Sequence, residues 1–520
     1  MRASLYSAVF AMIVALSAQA QAQTSISAAI LPTARTTTVG QPATAFASIV
    51  NSGSQMATGC RPALMDGSLP VALAYQTTSP ANALTGTANT PADIAPGSTQ
   101  NYLFSLTPSQ SFDSLPVIID FLCDDGVRGA YVRGVTTFEL SSRAFAPDII
   151  AVAATLSGDG VARGNAPDGF AAFTVSAVNI GAGPAPVTVR PVSGLLDMPV
   201  RYDICQTDAQ SQCLGPRASS VTVTMGSEPA FFVVRAIGLG AGIPLYADVL
   251  RTDVVFSDAE HVVRGRTSVA ATFPGPQADP AAGQMPAGLW TLVVDGNGLD
   301  HGDRIVGRLA IDPQGGVSGD ADRVRYETYA GDYGLQGMIT ADAAALPQPA
   351  LQGSLVEAFD IETGEIPPYP VSGVWSHRTG LRATVEPHAT LRRRIRAVYS
   401  PDSLRTVTLA DLADQYDFLY RDGNAEPADL GNVALTAAGG LTVSLPGLLC
   451  QVDGTLSQPQ AGFNLMTVSL TLSGGGCLLA GVYTGHAAVV TETIGGHETE
   501  VIGVVFGDES MIDSFMLARQ

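Results

Sequence analysis

The chain has 520 residues, 46% hydrophobic and only 14% charged, with a formal net charge of −20. That is enough for several domains with packed cores, and it argues against global disorder. All 27 basic residues are arginine; so acidic a surface repels nucleic acid and anionic lipid, and neither is expected as a partner.

Residues 1–22 read as a secretory signal peptide. Arg2 precedes an apolar run, Leu5–Leu16, and Ala18-Gln19-Ala20 and Ala20-Gln21-Ala22 both fit a small-residue cleavage site. No later apolar run reaches the roughly 18 residues of a spanning helix. The expected mature protein is exported, periplasmic or secreted, with no membrane span. Its six cysteines fall in three local pairs, Cys60 and Cys123, Cys205 and Cys213, Cys450 and Cys477. An oxidising compartment makes them structural disulfides, each inside one domain, and no Cys-x-x-Cys spacing suggests redox or metal chemistry.

Residues 23–143 hold alternating runs broken by Gly, Pro, Ser and Asn. Thr36–Val39, Ala45–Val50, Val71–Thr77, Gln100–Leu106, Val117–Leu122 and Tyr131–Leu140 are the strand candidates of a first β-sandwich. Residues 144–274 repeat the plan. Asn179-Ile180-Gly181 follows Asn51-Ser52-Gly53 by 128 residues, Gly226-Ser227 follows Gly97-Ser98 by 129, and Val263-Arg264-Gly265 follows Val132-Arg133-Gly134 by 131. Three landmarks at nearly one spacing indicate tandem domains of one fold. Each Asn-x-Gly reads as a tight turn at a strand end.

Pro147-Asp148-Ile149 followed by the run Phe173–Pro186, FTVSAVNIGAGPAP, resembles the cell-adhesion-related (CARDB-like) immunoglobulin-like sandwich domains of bacteria. The front half, with the Ile204–Cys213 loop and the Val263–Ala270 ending, also resembles exported bacterial proteins of unknown function that join such sandwiches to a C-terminal β-barrel. The resemblance implies architecture, and adhesion only through the name of the domain class.

Residues 275–286 form a Pro-, Gly- and Ala-rich linker. Beyond it, residues 287–520 read as a β-barrel region of two related meander halves, about 287–400 and 401–520. Their Asp-Gly-Asn turns begin at Asp295 and Asp422, 127 residues apart. The halves could close one lipocalin-like barrel or two small ones. Gly288-Leu289-Trp290 is similar to the Gly-x-Trp that opens lipocalins, where the ring plugs the closed end. Cys450 and Cys477 bracket a hairpin, and Thr408–Gln415 is the clearest helix candidate. The fold class is therefore all-β, two immunoglobulin-like sandwiches followed by antiparallel barrel structure.

Chemistry-bearing patterns are sparse. The histidines, at 261, 301, 377, 388, 486 and 497, make no metal-ligand spacing. Asp295 to Asp303, with Asp320 and Asp322, has the oxygen density of a calcium loop but not the EF-hand order, so a polar hairpin turn is expected. Glu357, Asp360, Glu362 and Glu365 read as a solvated acidic loop rather than a glycosidase pair. There is no Gly-x-Ser-x-Gly elbow. In Arg392-Arg393-Arg394-Ile395-Arg396, read as a strand, Arg392, Arg394 and Arg396 share one face. That face could bind an anion, pair with carboxylates or guard a sheet edge. No catalytic residue, metal or cofactor is expected. The reading is a non-catalytic binding or adhesion scaffold, its partner an envelope glycan or another cell-surface component. A carrier of a small apolar ligand in the barrel is the alternative, and a polysaccharide-acting enzyme the third.

Overall fold

The computed structural model describes residues 24–276, 285–296, 299, 303–325, 328–345, 348–359, 368–388, 391–420, 427–445, 450–475, 477, 480–494, 497–508 and 512–520. The signal segment, most of the linker, Asn297, Asp300, His301, Asp360, Glu362, Glu365 and the turn at Asp422 lie outside these residues.

The chain divides into two compact units, Met1–Ala144 and Phe145–Gln520. The first contains β1 Ile26–Leu31, β2 Ala34–Thr37, β3 Ala43–Asn51, β4 Ala57–Leu64, β5 Val71–Thr78, β6 Ala92–Ile94, β7 Thr99–Pro108, β8 Phe112–Leu122 and β9 Thr137–Ser142. They form a four-stranded sheet, β1-β3-β7-β5, and a five-stranded sheet, β2-β9-β8-β4-β6. Strict alternation builds the inner faces: along β3, Ala43, Ala45, Ala47, Ile49 and Asn51 are buried and Thr44, Phe46 and Val50 are exposed. Ile49, Tyr102, Phe104, Leu106, Phe121 and Phe138 fill a single core contributed by both sheets.

The second unit begins with β10 Ile149–Thr155, β11 Val161–Arg163, β12 Phe170–Asn179, β13 Ala185–Ser193, β14 Val200–Thr207, β15 Val221–Met225, β16 Ala230–Gly238, β17 Arg251–Ser257 and β18 Val263–Thr272. Its sheets run β10-β12-β16-β14 and β11-β18-β17-β13-β15, the order of the first unit with every strand advanced by nine. Even the parallel pair recurs, β2 with β9 and β11 with β18. The landmark asparagines explain part of this identity. Asn51 and Asn179 are fully buried. Asn51 Nδ2 donates to the carbonyls of Gln55 and Ile94 at 2.7 and 2.9 Å, and Asn179 Nδ2 to those of Gly183 and Met225 at 2.8 and 3.2 Å. Each Oδ1 accepts the amide of the glycine two residues on. At Gly181 the need for glycine is close approach: a Cβ would lie 2.7 Å from the Ala146 carbonyl oxygen. The third landmark diverges, because Val132–Gly134 sits in a turn whereas Val263–Gly265 opens β18.

Two barrels follow, which answers the open question of one against two. Barrel A is β19 Gly288–Gly296, β20 Asp303–Ile311, β21 Gly316–Arg325, β22 Thr328–Asp342, β23 Ala350–Phe359, β24 Tyr369–Ser376, β25 Gly380–His388 and β26 Leu391–Tyr399. Barrel B is β27 Asp414–Tyr420, β28 Ala428–Leu435, β29 Gly440–Ser444, β30 Gln451–Ser457, β31 Met466–Ser473, β32 Gly481–Ile494, β33 His497–Gly507 and β34 Ile512–Arg519. Both are closed antiparallel meanders, sealed by Trp290 opposite Tyr399 and by Tyr416 opposite Arg519. The expected helix is one turn, Leu409–Leu412, capped by Thr408 with Asp411 completing a capping box. Among the described residues no helix is long and apolar enough to cross a membrane.

Within the second unit the parts are fused. Val293 and Val398 of barrel A belong to the same core as Val254, Phe256 and Val269. The Arg382 guanidinium lies 4.7 Å from the Tyr246 ring centroid and donates to its hydroxyl at 3.0 Å.

Candidate functional site

The three cysteine pairs are disulfides, Cys60–Cys123, Cys205–Cys213 and Cys450–Cys477. The first joins neighbouring strands of one sheet, since β4 pairs with β8 beside it, so it does not bridge the two sheets. The arginine cluster is β26, with the expected alternation. Arg392 pairs with Glu386 and Arg394 with Asp295, each arginine 68% exposed. Arg396 turns toward the neighbouring sheets and bridges Asp248 and Asp295 at 2.7 Å each. All three guanidiniums thus meet carboxylates.

Arg393 points the other way, into barrel A. There its Nε donates to Glu357 Oε2 at 2.9 Å, and the Tyr333 hydroxyl donates to Glu357 Oε1 at 2.7 Å. Glu357 is not in a solvated loop: it continues the inward face Leu351, Gly353, Leu355 of β23 and is 5% exposed. Burial pushes its carboxyl above the ordinary range, with Tyr333 and Arg393 pulling against that shift. Burial and the adjacent Glu357 drive the Tyr333 phenol well upward. Apolar and aromatic side chains pack around them, Trp290, Leu292, Leu335, Ile339, Leu355, Trp375, Ile395 and Tyr399. Trp290 is buried edge-on to Tyr399 at 5.1 Å, its Nε1 donating to the Pro286 carbonyl at 3.0 Å. Barrel B is filled by Phe418, Leu470, Tyr483, Ile502, Phe506, Phe515 and Leu517.

The open space lies between the barrels. A crevice of about 310 Å³ is walled by β20, β21 and β22 of barrel A and β32, β33 and β34 of barrel B. Its floor is apolar, where Leu289 and Ala310 pack with Leu465, Ala488, Val490 and Val501. Its walls carry Asp320, Asp322 and Asp332 from barrel A and Asp513 and Ser514 from barrel B, with Tyr420 beside them. Ser514 Oγ donates to Asp320 Oδ2 at 2.9 Å. Asp320 is exposed at the crevice; partial desolvation there raises its carboxyl, the Ser514 hydroxyl opposing and Asp322, Asp332 and Asp513 adding repulsion. Burial likewise pushes Asp513 up to about 6. Asp320 and Asp322 had drawn notice only as extra oxygens near a turn. Asp513 carries no sequence signal, because the pairing of two barrels that makes it a wall residue has no local pattern.

A Ser–His–Asp chain closes one side of this interface. Ser318 Oγ lies 2.7 Å from His486 Nδ1, and His486 Nε2 lies 3.2 Å from Asp312 Oδ2. The residue types are those of a hydrolase triad, held here across the interface between the two barrels. Ser318 is 1% exposed on a regular ladder strand between Ala310 and Gln336. The remaining Asp312 oxygen accepts the amides of Gln314 and Gly316, both at 2.8 Å. Arg308 continues the seam, pairing with Glu492 and donating to the Thr491 carbonyl at 3.0 Å.

No family model matches the chain, and no curated protein matches it. Among solved structures it is similar to a protein of unknown function from Porphyromonas gingivalis W83, at 9% identity over 47% of this chain and 98% of that one, TM-score 0.17. It is similar to the sialic acid binding region of a Streptococcus sanguinis SK1 adhesin bound to 3'sLn, at 10% identity over 50% and 83%, TM-score 0.15. It is also similar to a 1.5-MDa bacterial ice-binding adhesin, at 11% identity over 65% and 97%, TM-score 0.14. TM-scores of this size do not establish a common fold.

Proposed function

We propose that this is an exported, non-catalytic binding protein. Two tandem immunoglobulin-like sandwiches of CARDB type carry a pair of barrels, and the crevice between the barrels seats a small polar ligand, a sugar of an envelope or cell-surface glycan. The observation that carries this reading is the crevice itself. It has the volume of a small-ligand site, an apolar floor and carboxylates lining it from both barrels. Carboxylates that accept hydrogen bonds from hydroxyl groups, above a flat apolar patch, match the two faces of a sugar ring. Disulfides and the N-terminal segment support export.

The carrier alternative needs an open apolar lumen, and among the described residues side chains fill both barrels. The test is a glycan array and titration calorimetry with the full mature chain. Glycan binding that is abolished by Asp320→Ala with Asp513→Ala supports the reading. Binding that survives the double substitution, or no glycan bound at all, overturns it.

A further inference from the structure

The crevice has a third wall, built by the β10–β18 sheet pair. Leu195 and Asp197, from the connection between β13 and β14, line it beside the two barrels. The β1–β9 sheet pair has the same connection between β4 and β5, and the two are equally long, residues 65–70 and 194–199. Their backbones are held alike. Val71 and Val200 each donate to the carbonyl two residues back at 2.7 Å, and the carbonyls of Pro70 and Pro199 accept the amides of Ser109 and Leu239 at 2.9 and 3.0 Å. Their side chains differ. In the first copy the turn is self-contained and exposed: Asp66 accepts the amide and the hydroxyl of Ser68 at 2.8 and 2.6 Å. In the second copy Leu196 and Met198 are buried in the core, and Leu195 and Asp197 line the crevice. We infer that Leu195 and Asp197 are the specificity-determining wall of the crevice and select an uncharged sugar over a carboxylated one. This rests on the reading of the crevice as a glycan site.

Each residue has its own part. Leu195 packs, with Val306 of barrel A, on the core that the β10–β18 sheet pair shares with that barrel. It gives the crevice an apolar surface that can cover a face of a sugar ring and offers nothing to a charged group. Asp197 is exposed, and its charge acts on the Arg308 guanidinium together with that of Glu492. An ionised carboxylate only accepts hydrogen bonds, so it takes hydroxyl donors. Among the described residues six carboxylates and one guanidinium line the crevice. That guanidinium, Arg308, is already engaged by Glu492 and the Thr491 carbonyl. A carboxylate on the ligand therefore meets like charge, which is costly in a confined site. The wall is also preformed. Leu196 and Met198 root it in a packed core that includes Val293 and Val398 of barrel A, and Arg396 of that barrel pairs with Asp248 at 2.7 Å. Little ordering is left to be done on binding.

The experiment puts the full mature chain on an array of matched pairs, each neutral oligosaccharide beside its uronic acid counterpart, with titration calorimetry on the pair that binds best. The wild type is expected to prefer the neutral member by roughly tenfold or more. Asp197→Lys should cut that preference by roughly tenfold without moving the melting temperature, because the position is exposed. Leu195→Ala should weaken the neutral member by about tenfold. Ser68→Lys, at the matching position of the first copy, controls for charge acting at long range and should leave the preference unaltered. A wild type that prefers the acidic member, or a preference that Asp197→Lys leaves unchanged, overturns the inference. Should Leu195→Ala lower the melting temperature, Asp197→Lys decides alone. Binding that is lost in Asp320→Ala with Asp513→Ala, yet indifferent to Asp197→Lys and Leu195→Ala, overturns the third wall and leaves the glycan reading standing. A wild type that binds no glycan overturns that reading, and this inference with it.

Discussion

Barrels A and B solve one packing problem in two ways. Each is an eight-stranded meander closed on itself and, among the described residues, filled by its own side chains. Barrel A admits an ion pair into its lumen, Arg393 with Glu357, and completes it with the Tyr333 hydroxyl. Barrel B is filled, among its described residues, by apolar and aromatic side chains. It stacks Phe418 on Phe515 at 4.7 Å, sets Phe506 against both Phe515 and Tyr483, and ties the β30–β31 hairpin with Cys450–Cys477. The difference shows that a closed lumen tolerates charge only as a hydrogen-bonded set, and that covalent and aromatic stapling is the alternative source of rigidity. Both tryptophans lie in barrel A, so tryptophan fluorescence reads that barrel alone.

Breaking the ion pair gives the largest expected effect. Arg393→Ala strands Glu357 in hydrocarbon and should cost about 4 kcal/mol of barrel A stability, measured by denaturant titration of tryptophan fluorescence. The loss carries a pH signature. Glu357 already sits above its ordinary range through burial, and without the guanidinium it rises further. A carboxyl raised in the folded state favours folding in acid, so the deficit must shrink as pH falls. Glu357→Leu with Arg393→Met, which removes both charges and fills the space, should return stability to near wild type or above it. If the single and double variants lose equally, charge burial is not what distinguishes this lumen.

Barrel B should respond to the opposite treatment. Its disulfide spans 27 residues of sequence, and opening a loop of that length costs about 3.5 kcal/mol in the chain-entropy account. Cys450→Ser with Cys477→Ser should lower the calorimetric transition of barrel B while the fluorescence transition of barrel A moves little. A joint fall of both would mean that the seam at Arg308–Glu492 and Ser318–His486–Asp312 makes the barrels one cooperative unit.

What the sequence disclosed follows the same division between local and distant causes. Strand alternation and the Asn-x-Gly turns lie within short windows and the cysteine pairs within single domains, and the structure realises them; of the helix expected over Thr408–Gln415 only one turn forms, because Asp414 and Gln415 already belong to β27. Three strands of the first unit, β1, β4 and β6, were not legible, because Ile26–Leu31 and Ala57–Leu64 lack clean alternation and Ala92–Ile94 is only three residues long. The parity of the arginine run separated Arg393 from Arg392, Arg394 and Arg396, yet nothing local said that its face was the inside of a barrel. The lumen partner Glu357 reads as part of an acidic loop because the Gly- and Pro-containing run after it, Gly364 to Pro368, sets the tone of that stretch. The crevice was invisible for a stronger reason: its walls are the outer faces of two barrels, and exposed-face residues carry no period that marks a partner.

A smaller effect tests whether the lumen set is complete. Tyr333→Phe removes the hydroxyl from Glu357 and keeps the ring. The carboxylate then has Arg393 as its remaining partner in this set, and the expected loss is about 2 kcal/mol, the range for a hydrogen bond to a charged group. The loss should again be smaller in acid, since Tyr333 favours the ionised form of Glu357. An effect below about 0.5 kcal/mol would mean that Arg393 alone satisfies the carboxylate.

The smallest expected effect sits at the other end of the same barrel. Trp290 and Trp375 are both buried, and the Trp290 indole donates to the Pro286 carbonyl. Among the described residues the buried Trp375 Nε1 has no acceptor. Trp290→Phe therefore loses ring area and a hydrogen bond together, and should cost about 2 kcal/mol or more. Trp375→Phe loses ring area but also removes an unsatisfied donor, whose burial is itself unfavourable by about 1–3 kcal/mol. The two terms oppose, and the net change should stay within about 1 kcal/mol. Each variant keeps one emitter in barrel A, so the same fluorescence titration compares them directly. Equal losses would mean that ring volume alone sets the stability of this end, and that the hydrogen bond to Pro286 contributes nothing beyond it.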